Sequence, residues 1–155
     1  MDLRLQDELK QRKPFSSLEQ EAVLNVVRTG AVLNDLLEQL LKPFELSVPQ
    51  YNVLRILRGA EPEALCRNDI RDRMITRMPD MTRLLDRMEE AGLVARTRET
   101  EDRRMVLTRL TAEGHRLVDE ITPLVESEHE RRFGKLKRED LSALIALLTS
   151  IRRSV

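Results

Sequence analysis

The chain has no tryptophan, one tyrosine, three phenylalanines and a single cysteine, Cys66. One thiol allows neither an intramolecular disulfide nor a zinc cluster built on cysteines. Long apolar runs are missing as well: no stretch approaches the roughly 20 residues that a membrane span needs. The first residues, Met1-Asp2-Leu3-Arg4-Leu5-Gln6-Asp7-Glu8, lack the apolar core of a secretory signal. The expectation is a soluble cytoplasmic protein. Catalytic furniture is also lacking, with no Gly-rich phosphate loop and no Ser/His/Asp set. The two histidines, His115 and His129, stand nearly four helical turns apart, too far along one helix to share a metal. The sequence therefore points away from an enzyme, a metal site or a bound cofactor.

An excess of one charge is absent too. The 27 basic and 27 acidic residues cancel, so the net charge advertises no nucleic-acid partner. The kind of base is more informative: only five of the 27 are Lys, and between Pro43 and Gly134 every basic residue is Arg. Arginine suits bidentate pairing with carboxylate, phosphate and guanine. On composition alone, a GC-rich genome and surface ion pairs are the preferred account of it. At 155 residues, with 41% hydrophobic and 35% charged side chains, the chain has room for one domain with a sizeable core.

Helix signals dominate. Ser16 with Glu19, or Ser17 with Gln20, forms a capping box. Beyond it Val26, Leu33, Leu36, Leu37, Leu40, Leu41 and Phe44 recur at mostly three- and four-residue steps, the stripe of a helix of about seven turns. Pro43 should stop or bend it. Ser47 caps a second helix, with Pro49 in its first turn, Tyr51, Leu54 and Leu57 inward and Gly59 at its end. Glu61-Pro62-Glu63 reads as a loop. A third helix runs from about Arg67 to Met74, with Cys66 at the cap position.

Pro79 then opens a fourth helix, which Gly92 closes. A hundred-degree wheel gathers Met81, Leu84, Leu85 and Met88 in one sector, and Pro79, Thr82, Arg83, Asp86 and Glu90 in the opposite one. Arg87 lies on the shoulder of the polar sector. Leu93 to Arg98 and Met105 to Leu110 read as a β-hairpin around the polar turn Glu99-Thr100-Glu101-Asp102-Arg103-Arg104. Thr111 caps the next helix, with Leu117, Val118, Ile121, Leu124 and Val125 inward and a kink expected at Pro123. The last helix, from about Lys137 to Arg153, puts Leu141, Leu144, Ile145, Leu148 and Ile151 on one side. Met74, Met78, Met81 and Met88 read as packing residues.

Two short helices joined by a tight turn and followed by a hairpin make a winged helix-turn-helix. The fold class is mainly α: a three-helix core with a β-hairpin wing, and long N- and C-terminal helices. A helix about 10–12 Å across fits a major groove about 12 Å wide, and the hairpin beside it reaches the flanking minor groove or the phosphates. Arg77 and the exposed N-terminal half of the fourth helix would meet double-stranded DNA first.

The residues carry a resemblance as well as the order. Pro49-Gln50-Tyr51-Asn52-Val53-Leu54-Arg55-Ile56-Leu57 resembles the second-helix signature of the MarR family of bacterial transcription regulators. The run from Thr82 to Val94 is similar to that family's recognition helix and the start of its wing. Asp102-Arg103-Arg104 and Leu110-Thr111-Ala112-Glu113-Gly114 are similar to its wing and wing-to-helix junction. The resemblance implies a homodimer binding a pseudo-palindromic operator, commonly a repressor, released by a small ligand or a stress signal. The family often carries a site for phenolic or other aromatic acids. Residues 1–155 would form one such domain: about 46–111 the DNA-binding part, and about 16–45 and 112–155 the dimerisation helices. The need of the long helices for more partners than so small a domain offers agrees with this.

Several residues have two readings. Arg83 contacts a base edge or phosphate, or else pairs with Asp86. Thr82 donates to a phosphate or merely starts its helix, and Arg77 is a phosphate contact. The family places a minor-groove arginine at the wing tip, where Arg104 is favoured over Arg103, and Asp102 would brace the wing through one of them. Arg96 and Arg98 read as solvated strand residues, and Glu99 and Glu101 would repel phosphate. Cys66, at a helix N-terminus, is a candidate oxidant sensor, against the ordinary reading of an inert thiol. Tyr51 lines a ligand cavity or packs in the core. The alternative function is a winged-helix module that binds protein and not DNA, for which the zero net charge speaks.

Overall fold

The computed structural model describes residues 4–98 and 105–153. The chain divides into two compact units, Met1–Val48 and Pro49–Val155.

The first unit contains a single-turn helix α1 (Leu5–Glu8) and the long α2 (Leu18–Leu41). Its cap uses Ser17 and Gln20, one of the two pairs that the sequence offers, with Gln20 reaching back to Ser16. Ser17 Oγ accepts from the N–H of Gln20, while the Gln20 side chain accepts from the N–H of Ser16 at 2.8 Å. Pro43 ends α2 by drawing the chain into a 3₁₀ turn, Lys42–Phe44, after which Glu45 turns back with φ of 55°. Leu41 is fully buried, whereas Leu18, Val23, Val26 and Val27 are exposed. The apolar stripe of α2 is thus covered only toward its C-terminal end.

The second unit is built on α3 (Val48–Ala60), which buries Tyr51, Val53, Leu54 and Leu57 and runs one residue past Gly59. The Tyr51 hydroxyl lies 3.4 Å from Thr122 Oγ1, so this residue packs in the core with its polar end partnered. The short helix α4 (Arg67–Arg73) follows a two-residue strand β1 (Leu65–Cys66) that the sequence shows no sign of. Strand β1 pairs with β3 (Val106–Leu110), and β3 with β2 (Val94–Arg98), giving an antiparallel sheet in the order β1-β3-β2. Three strands hold the wing root more firmly than a lone hairpin would.

Helix α5 spans Met81–Glu90. Pro79 does not open it, contrary to the expectation; Asp80 is the N-cap, its carboxylate accepting from the N–H of Arg83 at 3.0 Å. A cap that satisfies an orphan donor outcompetes the proline immediately before it. Met81, Leu84, Leu85 and Met88 are buried as the wheel requires, but Met74 and Met78 are only half covered, because both lie in the irregular stretch between α4 and α5. Gly92 closes α5 with φ of 71°, a conformation that costs other residues strain.

From there the chain is stitched. Thr111 Oγ1 donates to the Gly92 carbonyl at 2.6 Å, and the Thr111 N–H donates to the Leu93 carbonyl at 3.1 Å. Thr111 also caps α6 (Ala112–Phe133), accepting from the N–H of Gly114. Helix α6 continues through Pro123 and buries Leu117, Val118, Ile121 and Val125. Leu124, expected inward, is 47% exposed. The final α7 (Arg138–Arg153) buries none of its residues, and Ile145, Leu147 and Ile151 are each more than half exposed.

Candidate nucleic-acid interface

The polar sector of α5 faces solvent. Thr82, Arg83 and Arg87 are exposed, as is Arg77 in the turn that leads into the helix. That turn is anchored from the core. Asn52, 7% exposed on α3, accepts the N–H of Ile75 through Oδ1 at 3.0 Å. The first turn of α5 is tied in turn to α4, where Arg67 Nη1 donates to Thr82 Oγ1 at 2.9 Å. The Thr82 hydroxyl keeps its own proton for another acceptor.

Several of the arginines are committed to acids. Arg58, Arg71, Arg96, Arg116, Arg131 and Arg132 are each held by carboxylates within 3.2 Å. The surface ion pairs that the composition allows are therefore real. Hydrogen bonds from Arg131 and Arg132 bring the Glu128 carboxyl down to about 2. Arg77, Arg83 and Arg87 are not among the paired ones: no carboxylate partner holds them among the described residues. The alternative reading of Arg83, a pair with Asp86, is not what the structure shows.

Asp86 turns instead to Arg96 on β2, with Arg96 Nη2 2.6 Å from Asp86 Oδ1 and 2.6 Å from Glu89 Oε2. Arg96 Nε and its backbone N–H both donate to Glu89 as well. This side chain is 23% exposed and is not the solvated strand residue that was expected. Its hydrogen bonds hold the Glu89 carboxyl below the ordinary carboxylate range. The signal was present in the period-two pattern, since Arg96 shares a face with the buried Val94 and stands opposite the buried Thr108. Arg98 is exposed, as expected.

A cavity of about 510 Å³ opens between α4, α5 and the sheet, with Arg67, Thr82, Leu85, Arg96 and Thr108 in its wall. Cys66 borders it, half exposed. The Asp69 carboxylate hydrogen-bonds both the Cys66 thiol and its N–H, and these bonds lower the Asp69 pKa. A carboxylate beside the sulfur differs from the electropositive surroundings that reactive cysteines occupy. The wing-tip residues Glu99, Glu101, Asp102, Arg103 and Arg104 lie outside the described residues. Among the described residues no cluster of three ligating side chains could hold a metal ion, and no helix is long and apolar enough to cross a membrane.

Known proteins share this arrangement. The MarR family model matches residues 46–106, from just before α3 into β3. A MarR transcription factor from Planctomyces limnophilus is 42% identical, with a TM-score of 0.66 over 88% of this chain and 98% of that one. The HTH-type transcriptional regulator FarR of Neisseria gonorrhoeae is 28% identical over 89% of this chain and 93% of its own length. CouR from Rhodococcus jostii RHA1, solved bound to p-coumaroyl-CoA, is 28% identical with a TM-score of 0.75 over 88% and 95% of the two chains. With an exposed, arginine-bearing α5 beside a winged sheet and a near-full-length relative at 42% identity, the chain belongs to the MarR family of transcription regulators, which bind DNA and are not enzymes.

Proposed function

We propose that the protein is a homodimeric repressor that reads a pseudo-palindromic operator and is released from it by a small ligand or stress signal. The observation that carries the reading is the exposed polar face of α5 and of the turn before it, where Arg77, Arg83 and Arg87 stand open to solvent with no carboxylate partner among the described residues. Arg83 and Arg87 lie in the major groove, where a guanidinium takes a guanine edge or a phosphate in bidentate fashion. Thr82 donates its hydroxyl proton to a phosphate, and Arg77 adds a second backbone contact. From the wing, Arg104 in preference to Arg103 would supply the minor-groove contact, with Asp102 pairing with the other arginine. Residues 46–111 form the DNA-binding part.

Dimerisation belongs to the helices at about 16–45 and 112–155. The exposed Val23, Val26 and Val27 of α2 and the exposed Ile145, Leu147 and Ile151 of α7 leave apolar surface that a second copy covers. The effector is a small aromatic or phenolic acid or its thioester, as the ligand of CouR suggests. A cytoplasmic location fits such a regulator.

The test is binding of the purified protein to the DNA upstream of its own gene, by fluorescence anisotropy at two salt concentrations, with sizing by light scattering. A dimer whose affinity survives excess random DNA and falls steeply with salt supports the reading. A monomer, or affinity no better than for random DNA with this and with genomic fragments, overturns it.

A further inference from the structure

An α-helix that carries Arg83, Asp86, Arg87 and Glu89 has an electrostatic problem. Residues three apart on a helix are neighbours, so Asp86 is within reach of Arg83 and would neutralise it. The free carboxylates of Asp86 and Glu89 would also repel a phosphate backbone. In the structure both carboxylates are engaged by a strand residue instead. Arg96 reaches from β2 with its planar fork, donating Nε and Nη2 to Glu89 Oε2 at 2.9 and 2.6 Å and sharing Nη2 with Asp86 Oδ1 at 2.6 Å. Its backbone N–H takes the second Glu89 oxygen, Oε1, at 3.0 Å. Both carboxylates are thereby drawn toward the sheet, and Arg83 is left without a carboxylate partner among the described residues.

We propose that Arg96 is a positioning residue for DNA recognition: by holding Asp86 and Glu89 against the sheet, it keeps the Arg83 guanidinium free for the operator. The inference rests on the reading of α5 as the helix that meets DNA. Arg96 itself touches no DNA in this account. A lysine could not replace it, since an ammonium has no planar fork to span two carboxylates while shielded by the sheet. The clamp also joins α5 to β2, so the orientation of the reading helix and the availability of its arginine have a common origin.

The experiment is a rescue. Duplexes selected from a random library by the wild-type protein define the operator. Its affinity is then measured for Arg96→Met, Asp86→Asn and the double variant, each checked for dimer size and urea midpoint. Arg96→Met should weaken operator binding about tenfold or more, the scale of one lost arginine contact. Asp86→Asn alone should leave affinity unchanged or raise it. Adding Asp86→Asn to Arg96→Met should restore most of the loss, because the carboxylate released by the missing Arg96 is then no longer there to capture Arg83, while Asp80 stays committed to capping α5. If Arg96→Met does not fold, Arg96→Gln carries the same comparison. A folded Arg96 variant with undiminished affinity overturns the proposal, and so does a double variant as weak as the single one, which would make Arg96 a structural brace or a direct contact. Selection of no sequence by the wild type would bring down the DNA reading of α5 itself, and the proposal with it; a failed rescue on a well-defined operator leaves that reading standing.

Discussion

Asn52 Oδ1 accepts the backbone N–H of Ile75 at 3.0 Å, so a core side chain on α3 holds the turn that delivers Arg77 and α5. Asn52 is one of two buried polar residues among those described, the other being Thr108. Replacing it with Leu keeps the volume and removes the acceptor. Asn52→Leu should cost about 1–3 kcal/mol of stability, the range for stranding a partly buried donor. Urea denaturation gives the energy, and amide exchange at Ile75 shows whether the turn has opened. Protection at Ile75 equal to wild type would mean that the bond contributes nothing.

Arg83 is exposed and pairs with no carboxylate among the described residues, so its removal should spare the fold. Arg83→Ala should lower operator affinity by about 1–3 kcal/mol while changing stability by less than about 0.5 kcal/mol. Anisotropy against operator and random duplexes, beside a thermal melt, separates the two effects.

Gly114 lies where α6 passes over the start of the wing. A Cβ there would stand well inside van der Waals contact distance of the Leu93 carbonyl oxygen, an atom already committed to the N–H of Thr111. Backbone cannot step aside as a side-chain end can. Gly114→Ala should therefore destabilise the protein by about 1–3 kcal/mol despite the better helix propensity of alanine. A melting temperature at or above wild type would refute the close approach.

The Glu89 carboxyl titrates below its ordinary value because Arg96 donates to it. A depressed folded-state pKa contributes stability that is fully present above the unfolded-state value and is lost as pH falls through the folded-state value. Glu89→Gln should thus be less stable than wild type by a constant amount at neutral and mildly acidic pH. The gap should close only below about pH 4.3, the ordinary glutamate value. Urea midpoints of both proteins across that range make the comparison. A gap already closing near pH 6 would contradict the Arg96–Glu89 geometry.

Much of this molecule is local and legible in the chain. Capping residues, glycine at the end of α5 and three- and four-residue apolar steps are short-range signals, and they place the helices from α2 onward to within a residue or two, while the single turn of α1 carries no such signal. The buried face of α5 follows from its wheel alone, because a helix this short has only one sector wide enough to bury. Strand β1 is different. Two residues, Leu65 and Cys66, carry no periodicity and become a strand only because β3 offers free backbone groups. Leu124 likewise occupies a plausible inward position, yet stays exposed among the described residues.

The sequence by itself determined that the chain is helical with a winged sheet, which family it resembles and which face of α5 carries arginine. Hydrogen-bonding and apolar patterns within a few residues suffice for that. Only the tertiary structure decided which arginines are free. Arg83 has Asp86 one helical turn away, while Arg96 finds the same Asp86 and Glu89 ten and seven residues back along the chain, yet Arg96 is the one engaged and Arg83 is left open. The register of β2 beside α5 sets that choice, because charge pairing depends on distances in space that the order of residues does not contain.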